Sequence, residues 1–295
     1  MMRIWSLGLL SIFVAMHAWA QQAPQTPSPM VETLRPHPRI VQIEVPGRRA
    51  ELKSLKGAQA FAGPKVDVER PVPLIVHFHG ISWLIERHVE RRLPNAVLIT
   101  VNLGSGSAVY GRPFSQPETF QNLIDDAAQS LGIRRGWSSI TLSGFSAGYG
   151  AVRAILRHDK YFALVNNVLL MDGMHAGYLP EGKVLADGGA VNADDLDSFI
   201  KFAREAAAGR KTFVFTHSEI FPGTYASTTE CGDVVLAAVA LKPRPKLKTG
   251  PIGMQQLSDT SSGKLRFIGF AGNTAPDHVD HLQAMDIWLK LVRIR

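Results

Sequence analysis

The 295-residue chain is 45% hydrophobic and 19% charged, with a formal net charge of +7. Its basic residues are scattered and form no stripe interleaved with aromatics, which argues against nucleic-acid binding. Cys231 is the only cysteine, so an intramolecular disulfide is excluded and stability must come from packing.

The chain opens on a targeting pattern. Arg3 supplies a positive start, Ile4 to Val14 are mostly apolar, and Ala18-Trp19-Ala20 fits a small-x-small cleavage site. This predicts a signal peptide over residues 1–20, export to the periplasm or beyond, and a mature chain starting near Gln21. The apolar run is too short for a comfortable membrane span, and no other stretch approaches ~18 uninterrupted apolar residues. No stable membrane insertion is therefore expected once the signal is removed. Loss of Arg3 takes the charge from +7 to +6, read as solvation or loose attraction to an anionic envelope surface. Residues 21–38 are rich in Pro, Gln and Ser and read as a flexible lead-in. The remainder, 39–295, is long enough for one sizeable core and reads as a single domain.

Two early segments, Ile40 to Val45 and Ala50 to Ser54, suggest an antiparallel hairpin around Pro46-Gly47. After residue 70, apolar β-branched runs alternate with helical patterns. The strand candidates are Leu74 to Phe78, Ala96 to Asn102, Ile140 to Gly144, Asn167 to Met171, Lys211 to Thr216 and Leu265 to Phe270. This alternation predicts an α/β fold with a mostly parallel central sheet, buried by helices on both faces. Asn192 to Asp195 resembles a capping arrangement ahead of an apolar stripe of Leu196, Phe199, Ile200 and Ala203, closed by Gly209. Ser227-Thr-Thr-Glu230 is a capping box. Lys242 to Lys264, punctuated by prolines and glycines and containing a basic cluster at Lys242 to Lys248, reads as a long loop. A last helix is expected from about His278 to Val292.

Residues 144–148 read Gly-Phe-Ser-Ala-Gly between a strand-like run and a helix-like run. A serine there, at a strand-to-helix turn, is a nucleophile elbow. The turn is so tight that Gly144 and Gly148 are wanted where a Cβ would meet backbone. The serine hydroxyl is pushed above the sheet, and the following helix aims its free N–H groups and positive end at the same spot. An oxyanion forming beside Ser146 would be stabilised.

With the elbow after the third parallel strand, His77-Phe-His-Gly80 closing an earlier strand, and a histidine before the final helix, residues 38 to 293 resemble the α/β-hydrolase superfamily. The resemblance implies an exported serine hydrolase of that fold. It implies an oxyanion hole made by the N–H groups of Ile81 and Ala147; the multi-glycine form of the turn is absent. It further implies a general base in the loop after the last strand, where His278 is favoured over His281. The acid is either Asp172, directly at the end of the strand after the elbow, or Glu219, past the next strand; Asp172 is favoured.

The leading expectation is thus hydrolysis of a carboxylic ester, small or polymeric, through an acyl-enzyme on Ser146, His278 and Asp172, with no cofactor and no metal. An amidase or peptidase would share this machinery. A metal-dependent hydrolase is a second possibility, since His77 and His79 lie two apart on a strand and Asp172, His175, His217, Asp277, His278 and His281 add ligands; no HExxH is present. A non-catalytic binding protein on this fold is a third. Trp83, Tyr110, Phe114, Phe221 and Tyr225 are candidate pocket aromatics, His175 and His217 candidate supporting groups.

Overall fold

In the computed structural model, which describes residues 35–292 and 294, the chain forms a ten-stranded mixed sheet covered on both faces by helices. The expected signal peptide and most of the expected lead-in lie outside the described residues. In chain order the elements begin with β1 (Arg48–Glu51), β2 (Ala58–Ala62), β3 (Val72–Phe78), α1 (Ser82–Arg92), β4 (Val97–Val101), α2 (Ser107–Gly111) and α3 (Pro117–Leu131). The centre holds β5 (Trp137–Phe145), α4 (Tyr149–Leu156), α5 (Asp159–Leu164), β6 (Asn167–Met171), β7 (Tyr178–Leu179), β8 (Ala190–Val191), α6 (Asp197–Ala207) and β9 (Thr212–His217). The chain ends with α7 (Thr228–Ala237), β10 (Pro245–Thr249), β11 (Gln255–Ser262), β12 (Leu265–Phe270), α8 (Ala275–Gln283) and α9 (Met285–Trp288).

The sheet order is β1-β2-β4-β3-β5-β6-β9-β12-β11-β10, and the run from β4 to β12 is parallel throughout. Successive residues of the central strands feed opposite faces. Leu74, Val76, Leu142 and Leu170 join one apolar cluster with α3, α4, α6 and α7, whereas Ile75, Leu98, Leu169 and Val214 join another with α1, α8 and α9. Each such side chain, fully buried, contributes about 1.5–3 kcal/mol relative to exposure. The strand order reverses direction on either side of β3, and a crevice above the carboxyl ends of β3 and β5 follows. This is the α/β-hydrolase architecture, with the elbow strand β5 at the centre.

Three expectations are revised. The predicted hairpin of Ile40 to Val45 with Ala50 to Ser54 is replaced by β1 with β2. The stretch Ala-Gln-Ala-Phe-Ala of β2 gave weak strand propensity, because alanine fits a pleated surface poorly, but it is buried against β4. Residues 242–264 hold the antiparallel strands β10 and β11 rather than a continuous loop. These are polar strands at the sheet edge, where Pro245 is tolerated. The last helix starts earlier, at Ala275, capped by Thr274 and Asp277, and breaks at Ala284.

The lead-in is tied down from Arg35 onward. Arg35 contacts Asp277 at 2.6 Å and Asp280 at 2.8 Å, and His37 and Arg39 each reach Asp280 at 2.8 Å. Both carboxylates belong to α8, and Asp280 is fully buried. Among the described residues no helix is long and apolar enough to cross a membrane.

Candidate active site

Three neighbouring parallel strands end on strained residues. His79 follows β3 at φ 68°, Ser146 follows β5 at φ 48°, and Asp172 follows β6 at φ 44°. These are three of the five non-glycine residues with positive φ among the described residues. Such backbone costs about 1–3 kcal/mol each and persists only where the surroundings impose it. Parallel pairing brings Phe145 level with Met171, so Ser146 and Asp172 leave the sheet side by side.

Glycine is a steric necessity around Ser146. A Cβ at Gly148 would lie 2.1 Å from the Phe78 carbonyl oxygen, and one at Gly173 would lie 2.2 Å from the Ser146 carbonyl oxygen. Gly144 is less confined, its nearest contact being Gly148 C at 3.1 Å. The loop after β6 is therefore pressed onto the elbow, which fixes Asp172 relative to it.

His278 Nδ1 donates to Asp172 Oδ2 at 2.6 Å. The His278 ring packs on Phe145, centroids 4.5 Å apart, and Phe145 also stacks on His79 at 6.0 Å. Asp172 is buried and accepts three more hydrogen bonds: from Ser218 N–H at 2.8 Å, Ser218 Oγ at 2.7 Å and Thr228 Oγ1 at 2.9 Å. Burial alone would raise its pKa. The opposing hydrogen bonds and the neighbouring imidazoles win, and the carboxyl is held well below the usual range. His281 is itself pushed down to about 4 by burial, so at neutral pH it is uncharged and the donors carry this effect.

The two alternatives sit elsewhere. His281 is buried one turn further along α8, with Nδ1 2.8 Å from Thr216 Oγ1 and its ring against Phe270. Glu219 is exposed, its N–H donating to the Gly272 carbonyl. His217 contacts Thr229 Oγ1 at 2.9 Å, and Thr229 in turn donates to the Ser218 carbonyl, bracing the residue that grips Asp172.

Ser146 and Ala147 line a cavity of about 430 Å³ together with His79, Ser107, Tyr149, Arg153, His175, Asp195 and Tyr225. That volume is on the scale of small-molecule sites. Ile81 lies at the N-cap of α1, outside this lining. In its turn the His79 N–H is donated to Val101 O and the Gly80 N–H to Asn102 Oδ1, which leaves the Ile81 N–H as the next available donor. His79 Nδ1 is held 2.8 Å from Tyr110 Oη.

Of the pocket aromatics, Tyr225 lines the cavity, Tyr110 and Phe114 are core residues, and Phe221 is exposed. His77 is buried inside the fold, accepting from Ser143 Oγ and donating to the His79 carbonyl, and burial pushes its pKa down to about 3. Both of its ring nitrogens are engaged inside the fold, which leaves neither for a metal. Among the described residues, the grouping of three potential ligands is His37, Asp277 and Asp280, whose carboxylates are already engaged by Arg35 and Arg39. Cys231 is a buried thiol whose pKa burial pushes up, unsuited to a nucleophile.

Sequence reasoning missed Ser218 and Thr228, which hold Asp172, and Arg153 and Asp195, which line the cavity. Ser218 and Thr228 are common polar residues in loop and helix-start positions, and no spacing rule ties them to a carboxylate 46 and 56 residues away.

The sequence matches no protein-family model and no curated protein. Solved structures similar to this chain include a thermostable esterase, 14% identical over 79% of this chain and 55% of that one, TM-score 0.43. The feruloyl esterase module from Clostridium thermocellum complexed with sinapinate is 12% identical over 90% and 93%, TM-score 0.43. The acylaminoacyl peptidase of Pyrococcus horikoshii is 13% identical over 83% and 41%, TM-score 0.45. The chain spans about half the length of the thermostable esterase it resembles. The α/β-hydrolase fold is read from the strand order and turns of the chain itself.

Proposed function

We propose that the protein is an exported serine hydrolase that cleaves carboxylic esters through an acyl-enzyme. The observation that carries this reading is the 2.6 Å bond from His278 Nδ1 to buried Asp172, formed beside a serine held at φ 48° on the elbow. With Nδ1–H committed to a carboxylate, Nε2 is the basic nitrogen. It takes the Ser146 proton as Oγ attacks the carbonyl carbon. The Ala147 and Ile81 N–H groups receive the oxyanion, each worth ~3 kcal/mol in such sites. Collapse expels the alcohol, protonated by His278, and water then repeats the attack on the acyl group. Esters are the expected substrates because an alkoxide needs less help to leave than an amine.

A fluorophosphonate probe tests this directly. The wild-type protein should be labelled at Ser146 and a Ser146→Ala variant should not. Labelling that persists in that variant would remove Ser146 as nucleophile.

A further inference from the structure

Arg153 on α4 brings a guanidinium into the cavity that holds Ser146. It is half-buried, lying over the Tyr149 ring at 5.2 Å, and it is poorly satisfied there. Its hydrogen bonds run from one nitrogen, Nη1, to the carbonyls of His175 at 3.4 Å and Asp195 at 3.5 Å. Both exceed the usual N–H···O range of about 2.7–3.2 Å. No carboxylate pairs with it among the described residues. By contrast Arg35, Arg92 and Arg266, also part-buried, hold carboxylates at 2.6, 3.3 and 2.9 Å.

A guanidinium that lines a cavity with its donors largely unspent can bind an anion there, and its planar fork matches a carboxylate. The cavity does hold one acid, Asp195, but its Oδ2 accepts the Gly177 N–H at 2.9 Å. At Tyr149, which also lines the cavity, the pull of the Arg153 charge outweighs the opposing one of Asp195. His175, on the same wall, is kept neutral at pH 7 by burial, with its pKa pushed down to about 4. The cavity wall thus carries one cation, Arg153, and one carboxylate, Asp195, and of the two it is the guanidinium that offers donors to an anionic ligand.

Resting on the serine-hydrolase reading, we infer that Arg153 is a specificity-determining residue that binds a carboxylate of the substrate, making the preferred substrates esters of short acids or alcohols bearing a second, free carboxylate. The scissile carbonyl must reach Ser146 while the carboxylate reaches Arg153 in the same cavity, which restricts the spacer to a few bonds.

The test is hydrolysis at low salt, followed by pH-stat, of monoethyl glutarate and carboxymethyl butyrate against the uncharged ethyl butyrate and diethyl glutarate. The two charged esters place the carboxylate on the acyl and alcohol sides respectively. At least one should exceed its neutral counterparts by tenfold or more in kcat/KM. That ratio should fall toward one in Arg153→Gln and be partly kept in Arg153→Lys. Free glutarate should also bind the Ser146→Ala protein at millimolar concentration and fail to bind the Ser146→Ala/Arg153→Gln double variant. No preference in the wild type, or a preference unchanged in Arg153→Gln, overturns the assignment. Fluorophosphonate labelling keeps the two readings apart: a labelled enzyme without charge preference loses only the carboxylate site, whereas a protein neither labelled nor active on any ester loses both.

Discussion

Replacing Asp172 with Asn changes one donor-acceptor relation and little shape. Asp172 Oδ1 accepts from Ser218 N–H and Thr228 Oγ1, and Oδ2 accepts from Ser218 Oγ and His278 Nδ1. An Asn can keep its oxygen on the Oδ1 side, where the backbone N–H has no other option. Its NH2 then faces Ser218 Oγ, which can rotate and accept, and His278 Nδ1, which can accept only by giving up its proton. The imidazole is driven to the tautomer with the proton on Nε2, and Nε2 can no longer take the Ser146 proton. The same exchange in a serine-protease triad lowers turnover by about 10⁴, equivalent to ~5.5 kcal/mol of barrier. The fold should lose far less, ~1–3 kcal/mol for one rearranged buried bond. Turnover of a chromogenic ester, with the thermal midpoint measured in parallel, checks both numbers. Turnover within tenfold of wild type, or an equal collapse in Glu219→Gln, would refute the tautomer argument and transfer the acid's role.

Gly148→Ala forces a Cβ to 2.1 Å from the Phe78 carbonyl, so it should lower the thermal midpoint and abolish labelling of Ser146; a soluble, fully labelled variant would contradict the steric account. Stability should depend on acid. His77, His175 and His281 are buried with pKa values pushed down to about 3, 4 and 4 from 6.5. The unfolded chain therefore binds protons that the folded one does not, and stability present above pH 6.5 is lost as pH falls toward 4. Asp172, depressed from 3.8, adds a loss below that; a urea midpoint flat from pH 7 to 4 would contradict this. Removing the chain up to residue 40 strips Arg35, His37 and Arg39 from fully buried Asp280. Breaking such a buried pair costs about 3–5 kcal/mol, so the thermal midpoint should fall by several degrees, and an unchanged midpoint would show that the strap is not structural.

The strands that build the sheet centre were legible because they are buried on both faces, and continuous apolar runs leave few other solutions. β6 and β12 lie at the predicted residues, Asn167–Met171 and Leu265–Phe270. β2, β10 and β11 were not legible, since alanine-rich and polar strands owe their form to the neighbour that pairs with them. The elbow could be read locally because a turn that tight dictates its own residues. By itself, then, the sequence determined the fold class and singled out Ser146, which depend on periodicity and local sterics. Only the tertiary structure decided what depends on convergence of distant segments. It set His278 against Asp172 across 106 residues, buried His281, left Glu219 in solvent, and put Arg153 in the cavity. Side-chain partners across a sheet are fixed by strand order and register, and no local pattern in the chain encodes them.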